Sequence, residues 1–461
     1  MEKKPLGVLI MAAGKGTRMK SALPKVLHPI LDRPMLGCLL QSVLSLEGAE
    51  VAVLVGSGGE EVCAYLECFP TVHPIWQREQ LGTAHAVKSA QSWWEEFENL
   101  LVLNGDLPLL QASTLTHFLN EHLKSNSVCS LLSFQTETPG SYGRVVRRQE
   151  SVSIVEYKDA TEEERRIKEV NAGCYAFSVS SLTRVIDKVR NDNAQGEYYL
   201  PDVVALLGGS GGCIQATLAP ECEMLGINTQ AELAEAAARL RERIVLGWME
   251  RGVRMMDPAS VWIGLDVSLE QDVTLMPDVQ LWGRTEVGVG SSIGSGCILR
   301  NAVLGKNVRL SAYVVVEDSV LDDEAKAGPF AYIREHSHLE REALAGKFVE
   351  LKKTHVGRSS KVPHLTYMGD ATLGEDVNIG AGSVTCNFDG REKHATKIGD
   401  RCFVGSDTMM VAPVVLGDDS VTAAGSVITQ DVPPGALGVG RARQRNIEGW
   451  SLRKNRKEQG G

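Results

Sequence analysis

The sequence predicts two folds in series, an α/β unit on a parallel sheet and a left-handed parallel β-helix, joined by a linker helix. Three observations predict this. Up to about residue 229, apolar runs such as GVLIMA, EVAVLVG and NLLVLNGD alternate with helical stretches such as RPMLGCLLQSVLSLEG, the pattern of strands covered by helices on both faces. Next comes QAELAEAAARLRERIVLGWME, residues 230–250, rich in Ala, Leu, Glu and Arg and free of Gly and Pro before Gly247, as a long helix requires. After it, apolar residues recur every six positions.

The first unit is expected over residues 1–229. In such sheets, ligands bind beyond the carboxyl ends of the strands. Both AAGKGTR after the first apolar run and NGD after a later one fall at such ends. The linker helix is expected over 230–252 and the β-helix over 253–437. Val261, Val267, Val273 and Val279 keep the six-residue beat, as do Val287, Ile293 and Leu299, then Leu373 and Ile379. It returns from Ile398 through Val404, Met410, Leu416 and Thr422 to Ile428. A hexapeptide period with an inward apolar residue marks a triangular coil of three hexapeptides per turn. Flat outer faces of this kind associate side by side, so a homotrimer is expected. Residues 438–461 form a basic tail.

At 461 residues the chain exceeds what one core usually serves. Lys and Arg number 48 against 58 Asp and Glu, a net charge of -10, which disfavours nucleic acid as a partner. A local basic pocket for a small phosphorylated ligand is compatible with that balance. Lys3 and Lys4 before Leu6–Ala13 imitate a secretory signal. Ten scattered cysteines with no CxxC pair read instead as reduced thiols of a cytoplasmic protein. No apolar run reaches the roughly 18 residues of a membrane helix, so no membrane insertion is expected.

LIMAAGKGTRMKSALPKVL, residues 9–27, puts two glycines, Arg18 and Lys25 into a turn after the first strand. Gly14-Lys15-Gly16-Thr17-Arg18 satisfies neither the Walker pattern nor the dinucleotide fingerprint. What remains is a glycine turn whose amides can wrap a triphosphate while Arg18 and Lys25 neutralise it.

This stretch resembles the signature of sugar-phosphate nucleotidyltransferases, and QREQLGTAHAV, NGD, YGRVV, IVEYKDA and EVNAGCY follow in that family's order. With FVELKK, KVPHLTYMGD and NIGAGSVTCNFDG in the repeats, residues 6 to about 450 resemble one bacterial family. Its members join an N-acetylglucosamine-1-phosphate uridylyltransferase to a glucosamine-1-phosphate N-acetyltransferase. The resemblance implies a Rossmann-like nucleotidyltransferase fold for the first unit. It also implies acetyl transfer from acetyl-CoA to glucosamine-1-phosphate, then uridylyl transfer from UTP, feeding cell-wall precursors.

For uridylyl transfer the resemblance implies that Asp106 and Asn228 ligate Mg²⁺, an oxygen pair suited to a hard cation. Arg18 and Lys25 would hold the triphosphate beside Met11, Ala12, Ala13 and Gly14. Gln77, Gly82 and Thr83 would read the uracil edge, with Asn104 and Gly105 close to the nucleotide. Gly143, Glu156 and Asn171 would hold the sugar. Asn104 stands where the family often has tyrosine. For acetyl transfer, a neutral histidine is the natural base for an ammonium. His364 corresponds to it, Glu350 to the carboxylate orienting its ring, and Arg334, Lys352, Tyr367 and Asn378 to the sugar-phosphate contacts. Coenzyme A would lie near Ala381, Asn387, Phe388, Lys393, Ser406, Ala424 and Arg441. Phe388 replaces a common tyrosine, and the proline expected after Arg334 is missing. The alternative is a nucleotidyltransferase for another sugar phosphate whose β-helix is structural or regulatory. A purely structural coil has no reason to collect Glu350, Lys352, His364, Tyr367 and Asn378.

Overall fold

The computed structural model describes residues 3–148, 151–193 and 195–451; the end of the basic tail, 452–461, lies outside them. The chain divides into two compact units, Met1–Arg241 and Glu242–Gly461. The helix Gln230–Glu250 contributes residues to both.

The first unit is organised on a nine-stranded sheet of β1 (Lys4–Met11), β2 (Ala49–Val55), β3 (Val72–Trp76), β4 (Phe97–Asn104), β5 (Cys129–Gln135), β6 (Arg144–Arg148), β7 (Ser151–Val155), β8 (Glu169–Ser178) and β9 (Ile214–Leu218). Its main order is β9-β5-β8-β4-β1-β2-β3, and β6 and β7 form a hairpin attached to β8. Side chains alternate across the sheet with period two. Val8, Ile10, Val51 and Val53 face Leu36, Leu40, Leu115 and Phe118, whereas Leu9, Ala52 and Leu54 face Val87, Trp94, Leu182 and Val204 on the other side. Burial on both faces explains why these strands read as continuous apolar runs.

One expectation needs correction: the sheet is not wholly parallel. β1 runs parallel to β2 and β4, but β8 is antiparallel to both β4 and β5. Glu169 pairs with Gln135, the last residue of β5. The chain leaves β5, makes the β6–β7 hairpin and enters β8 beside the point it left. A parallel entry would need a crossover back along the sheet, which this connection does not make. The reversal brings the start of β8, with Asn171 and Gly173, to the edge where β1 and β4 end.

The second unit is a left-handed parallel β-helix of hexapeptide repeats. Its short strands run from Arg254–Met255 to Leu437–Gly438. Trp262 pairs with Gln280, 18 residues on, the turn length three hexapeptides require. From Glu286 to Val315 the step is 17, as in Glu286 with Val303, because one side of the triangle carries five residues; it returns to 18 at Val320, which pairs with His338. The inward positions pass through Leu299, Leu304, Leu310, Val316, Leu321, Ala327, Ile333, Leu339, Ala345, Leu351, Val356, Val362, Met368 and Leu373, all buried in one core. Tyr367 pairs with Val384, 17 residues on, but Ala371 pairs with Thr396, 25 on. The extra length leaves the coil as the segment 387–395, closed by a bridge between Phe388 and Lys393.

No helix among the described residues is long and apolar enough to cross a membrane. Leu351 is fully buried in the coil. Leu351→Ala should therefore cost about 2–5 kcal/mol, measured by urea unfolding with hydrogen exchange reporting on the coils of the second unit.

Candidate active sites

Parallel strands align their carboxyl ends, so the segments leaving β1, β3 and β4 meet at one sheet edge. Gly105 N donates to Met11 O at 2.9 Å, tying the exits of β1 and β4 together. Beyond β1, Ala12 N donates to Leu54 O at 3.0 Å and Gln80 Nε2 donates to Ala13 O at 2.6 Å. Gly14 and Lys15 then turn out to solvent. Gly16 lies at φ 59°, and a Cβ there would fall 2.7 Å from Lys25 Cβ. Glycine is thus what lets the turn bearing Arg18 pack on the turn bearing Lys25.

These turns deliver two cations to two oxygens. Lys25 Nζ lies 2.5 Å from Asp106 Oδ2 and 3.0 Å from Asn228 Oδ1, and Arg18 Nη2 donates to the same Asn228 oxygen at 2.9 Å. Asn228 is fixed from behind: Glu232 Oε2 accepts from Asn228 N at 2.7 Å and Thr229 N at 3.0 Å. Glu232 N in turn donates to Thr229 Oγ1 at 3.2 Å, a capping box at the start of the helix Gln230–Glu250. Asp106 and Asn228 therefore already aim their oxygens at one positive charge. An oxygen-only pair suits a hard divalent cation that keeps water and phosphate ligands. Among the described residues no group of three or more His, Cys, Asp or Glu could hold a metal, so an ion here would take most of its ligands from substrate and water.

Two cavities flank this point. One, of about 500 Å³, is lined by Met11, Ala12, Ala13, Gly14, Lys25, Gln77, Gly82, Thr83 and Asp106. The other, of about 610 Å³, is lined by Gly143, Glu156, Asn171, Gly173 and Tyr199. Met11, Thr83, Asn104 and Glu197 are walls of both, while Gly105 stays at the strand exit between them. Asn104 Nδ2 would lie 2.2 Å from a Cβ at residue 173, so the asparagine fits only over a glycine. Asn171 is buried, donating from Nδ2 to Tyr175 OH at 2.6 Å and accepting from Gly173 N at 3.1 Å. Burial, reinforced by Asp159 and Asp202, raises the Glu156 pKa above its ordinary value.

In the second unit, register builds the site. Arg334 pairs with Lys352 and Tyr332 with Glu350, and one coil further Glu350 pairs with Tyr367, Lys352 with Gly369 and Lys347 with His364. A Cβ at Gly369 would fall 2.3 Å from Tyr367 OH and 2.7 Å from Asn387 Nδ2, so the missing side chain lets both fold over it. Lys352 is nearly buried, and its Nζ makes no hydrogen bond among the described residues. The nearest carboxylate oxygens, of Glu335 and Asp370, lie 3.5 and 3.7 Å away. Lys393, on the segment 387–395, has its pKa pushed down first by its side-chain contact with Lys352 and then by that lysine's charge. The two lysines share the fields of the Glu335 and Asp370 carboxylates, neither of which makes a hydrogen bond to Lys352 Nζ. Asn378 pairs with Lys361. Ala381, Ser406 and Ala424 succeed one another at one corner of the coils, where Asp407 N donates to Ala381 O and Gly425 N to Ser406 O. Arg441 is exposed just after Gly440, the last residue bonded to the coil at Val427.

Glu350 departs from its expected role. Its Oε1 accepts from Arg334 Nε at 2.9 Å and Nη2 at 2.7 Å, not from His364. Parallel register sets Glu350 beside Tyr367, three residues past His364, and three extended residues span about 10 Å. The His364 ring is exposed and makes no hydrogen bond among the described residues. The turn after Arg334 places Glu335 and His336 at φ 50° and 63°, and the Glu335 carboxylate reaches back to Arg334 Nη1. Sequence reasoning assigned no role to Gln80, Glu197, Tyr199 or Asp370. Gln80 and Asp370 sit inside quoted motifs, whereas Glu197 and Tyr199 belong to an irregular segment with no motif.

Residues 8–174 match the family model of a MobA-like NTP transferase domain, and residues 395–430 match that of the hexapeptide repeat of succinyl-transferase. The chain is 43% identical to the bifunctional protein GlmU of Streptomyces avermitilis, over 98% of this chain and 95% of that one. It is 43% identical to the bifunctional protein GlmU of Heliobacterium modesticaldum, over 98% and 99%. The protein of that name from Thermus thermophilus is 45% identical, over 97% and 98%.

The Glu156 carboxyl should hold its proton to a higher pH than an ordinary glutamate. Burial is the first cause, so Asp202→Asn should lower that pKa only part of the way back, as read by carboxyl ¹³C NMR titration.

Proposed function

The chain belongs to the GlmU family of bifunctional proteins, and on that premise we propose how its two sites divide the synthesis of UDP-N-acetylglucosamine. The enzyme is a bifunctional transferase, a nucleotidyltransferase unit followed by a hexapeptide acetyltransferase unit. The second unit acetylates glucosamine-1-phosphate from acetyl-CoA, and the first joins the product to the uridylyl group of UTP with release of pyrophosphate.

The observation that carries the first assignment is the convergence of Asp106 and Asn228 on one cation beside Arg18. In uridylyl transfer a phosphate oxygen of the sugar attacks the α-phosphorus of UTP and pyrophosphate leaves. The barrier is one of charge and alignment. Mg²⁺ bound by Asp106 and Asn228 would supply neutralisation of the phosphates. Arg18 and Lys25 hold the triphosphate, the loop Met11–Gly14 offers backbone donors, and Gln77, Gly82 and Thr83 bound the base. Across the shared wall, Gly143, Glu156 and Asn171 hold the sugar.

In the second unit His364 takes the proton that the sugar ammonium must lose before its nitrogen attacks the thioester, and coenzyme A leaves as the thiol. An exposed ring with no competing hydrogen bond suits that task. Lys352 and Arg334 bind the sugar phosphate, with Tyr367 and Asn378 beside it and Glu350 holding Arg334. Lys393, Asn387, Phe388 and Arg441 serve coenzyme A along the corner of Ala381, Ser406 and Ala424. A purely structural coil has no need of Lys352 and Lys393 side by side, with Glu335 and Asp370 as the carboxylates nearest to Lys352.

The exposed stack of Tyr313, Phe330 and Phe348, with ring centroids 5.3 and 5.2 Å apart, continues to Leu365 beside His364. This apolar column supports a homotrimer in which copies cover one another's corners. Ten cysteines outside any framework support a cytoplasmic location.

Removing divalent metal with EDTA should abolish pyrophosphate release while coenzyme A thiol release continues; joint loss would refute two independent sites. His364→Ala should lower acetyl transfer by about 10²-fold or more and leave uridylyl transfer unchanged.

A further inference from the structure

We infer that His85 is a positioning residue that sets which way the Gln77 amide points, and thereby makes the first site select uracil over cytosine. The inference rests on the reading that Gln77 meets the base.

Gln77 is buried and lines the nucleotide cavity. Its backbone N donates to Val55 O at 2.8 Å, which fixes its place at the end of β3. Its side chain has one hydrogen-bond partner among the described residues: Nε2 lies 3.4 Å from His85 Nδ1. The amide nitrogen can only donate, so Nδ1 accepts and the ring carries its proton on Nε2. His85 is held by the helix Thr83–Ser89, whose Ala84 N donates to Tyr198 O at 2.8 Å. Its ring leans on Tyr198 with centroids 6.5 Å apart. Lys88 and Asp187, paired at 2.6 Å, are the charged groups lining the cavity of about 370 Å³ on the ring's other side.

An amide has one acceptor and two N–H donors. With one N–H spent on His85, Gln77 offers an edge of Oε1 and the remaining N–H. In this orientation Oε1 can accept from N3–H of uracil while N–H donates to its neighbouring carbonyl oxygen. Cytosine has an acceptor at N3 and an amino donor at position 4, so it would need the amide reversed. Reversal would set Oε1 against Nδ1, a contact that holds only if the ring moves its proton from Nε2 to Nδ1. The acceptor on His85 is therefore read out two bonds away as a preference between bases, and a mismatch leaves buried polar groups unpaired.

The test compares kcat/KM for UTP and CTP, each with N-acetylglucosamine-1-phosphate, by pyrophosphate release. His85→Phe keeps a ring against Tyr198 but has no acceptor, and His85→Ala is the second variant should the first fail to fold. Either should lower the UTP:CTP ratio about tenfold, the scale of one hydrogen bond, mainly through KM. A packing role would slow both nucleotides alike and leave the ratio unchanged. Gln77→Ala separates the two layers. If it lowers the ratio and the His85 variants do not, the role of His85 is overturned. If none of the three moves the ratio, the contact between Gln77 and the base is overturned as well.

Discussion

Both units depend on one constraint, the parallel backbone ladder, which aligns like ends of strands. In the first unit it brings the exits of β1, β3 and β4 to a single edge, so residues 11–18, 77 and 106 become neighbours although far apart in sequence. The bond from Gly105 N to Met11 O is the closing stitch of that edge. In the second unit the same ladder repeats at about 4.8 Å between coils, and residues 17, 18 or 25 apart become stacked columns. Arg334 with Lys352, and Glu350 with Tyr367, are products of that arithmetic rather than of any local motif.

The fold was largely legible because the ladder leaves a period in the sequence. The hexad beat is clear from Val261 to Leu299 and from Ile398 to Ile428, where every side of the triangle holds six residues. It fades between, because Leu299 to Leu304, Val316 to Leu321, Leu351 to Val356 and Met368 to Leu373 are five-residue steps and Ala327 and Ala345 point inward without looking apolar enough to mark a core. The antiparallel β8 was not legible. Its residues are as apolar as those of a parallel strand, and direction is set by where the preceding hairpin returns. At the sites, Arg18, Lys25, Asp106 and Asn228 were found through their motifs. Glu197 and Tyr199 were missed because they enter the cleft from a segment without period. The pairing of Glu350 with Arg334 depends on register, which motif spacing does not encode.

A chain with net charge -10 builds two places where cations crowd. In the first, Arg18 and Lys25 meet at the oxygen of Asn228; in the second, Lys352 and Lys393 face each other with carboxylates held just beyond hydrogen-bond reach. Crowding like charges costs stability, and each crowd is held by backbone geometry fixed elsewhere: the glycine turn at Gly16, and the excursion 387–395. Local field, not the overall balance, decides what such a protein attracts.

The clasp between Glu232 and the amides of Asn228 and Thr229 ties an oxygen ligand to the nucleation of a helix. The backbone amide of Asn228 keeps the Glu232 carboxylate only while the first turn beyond it stays wound. A fragment ending at residue 229 would retain every residue assigned to the nucleotide and sugar, yet leave one of its two oxygens on a fraying terminus. The functional edge of the first unit thus lies inside the helix, past the last residue that would touch a substrate.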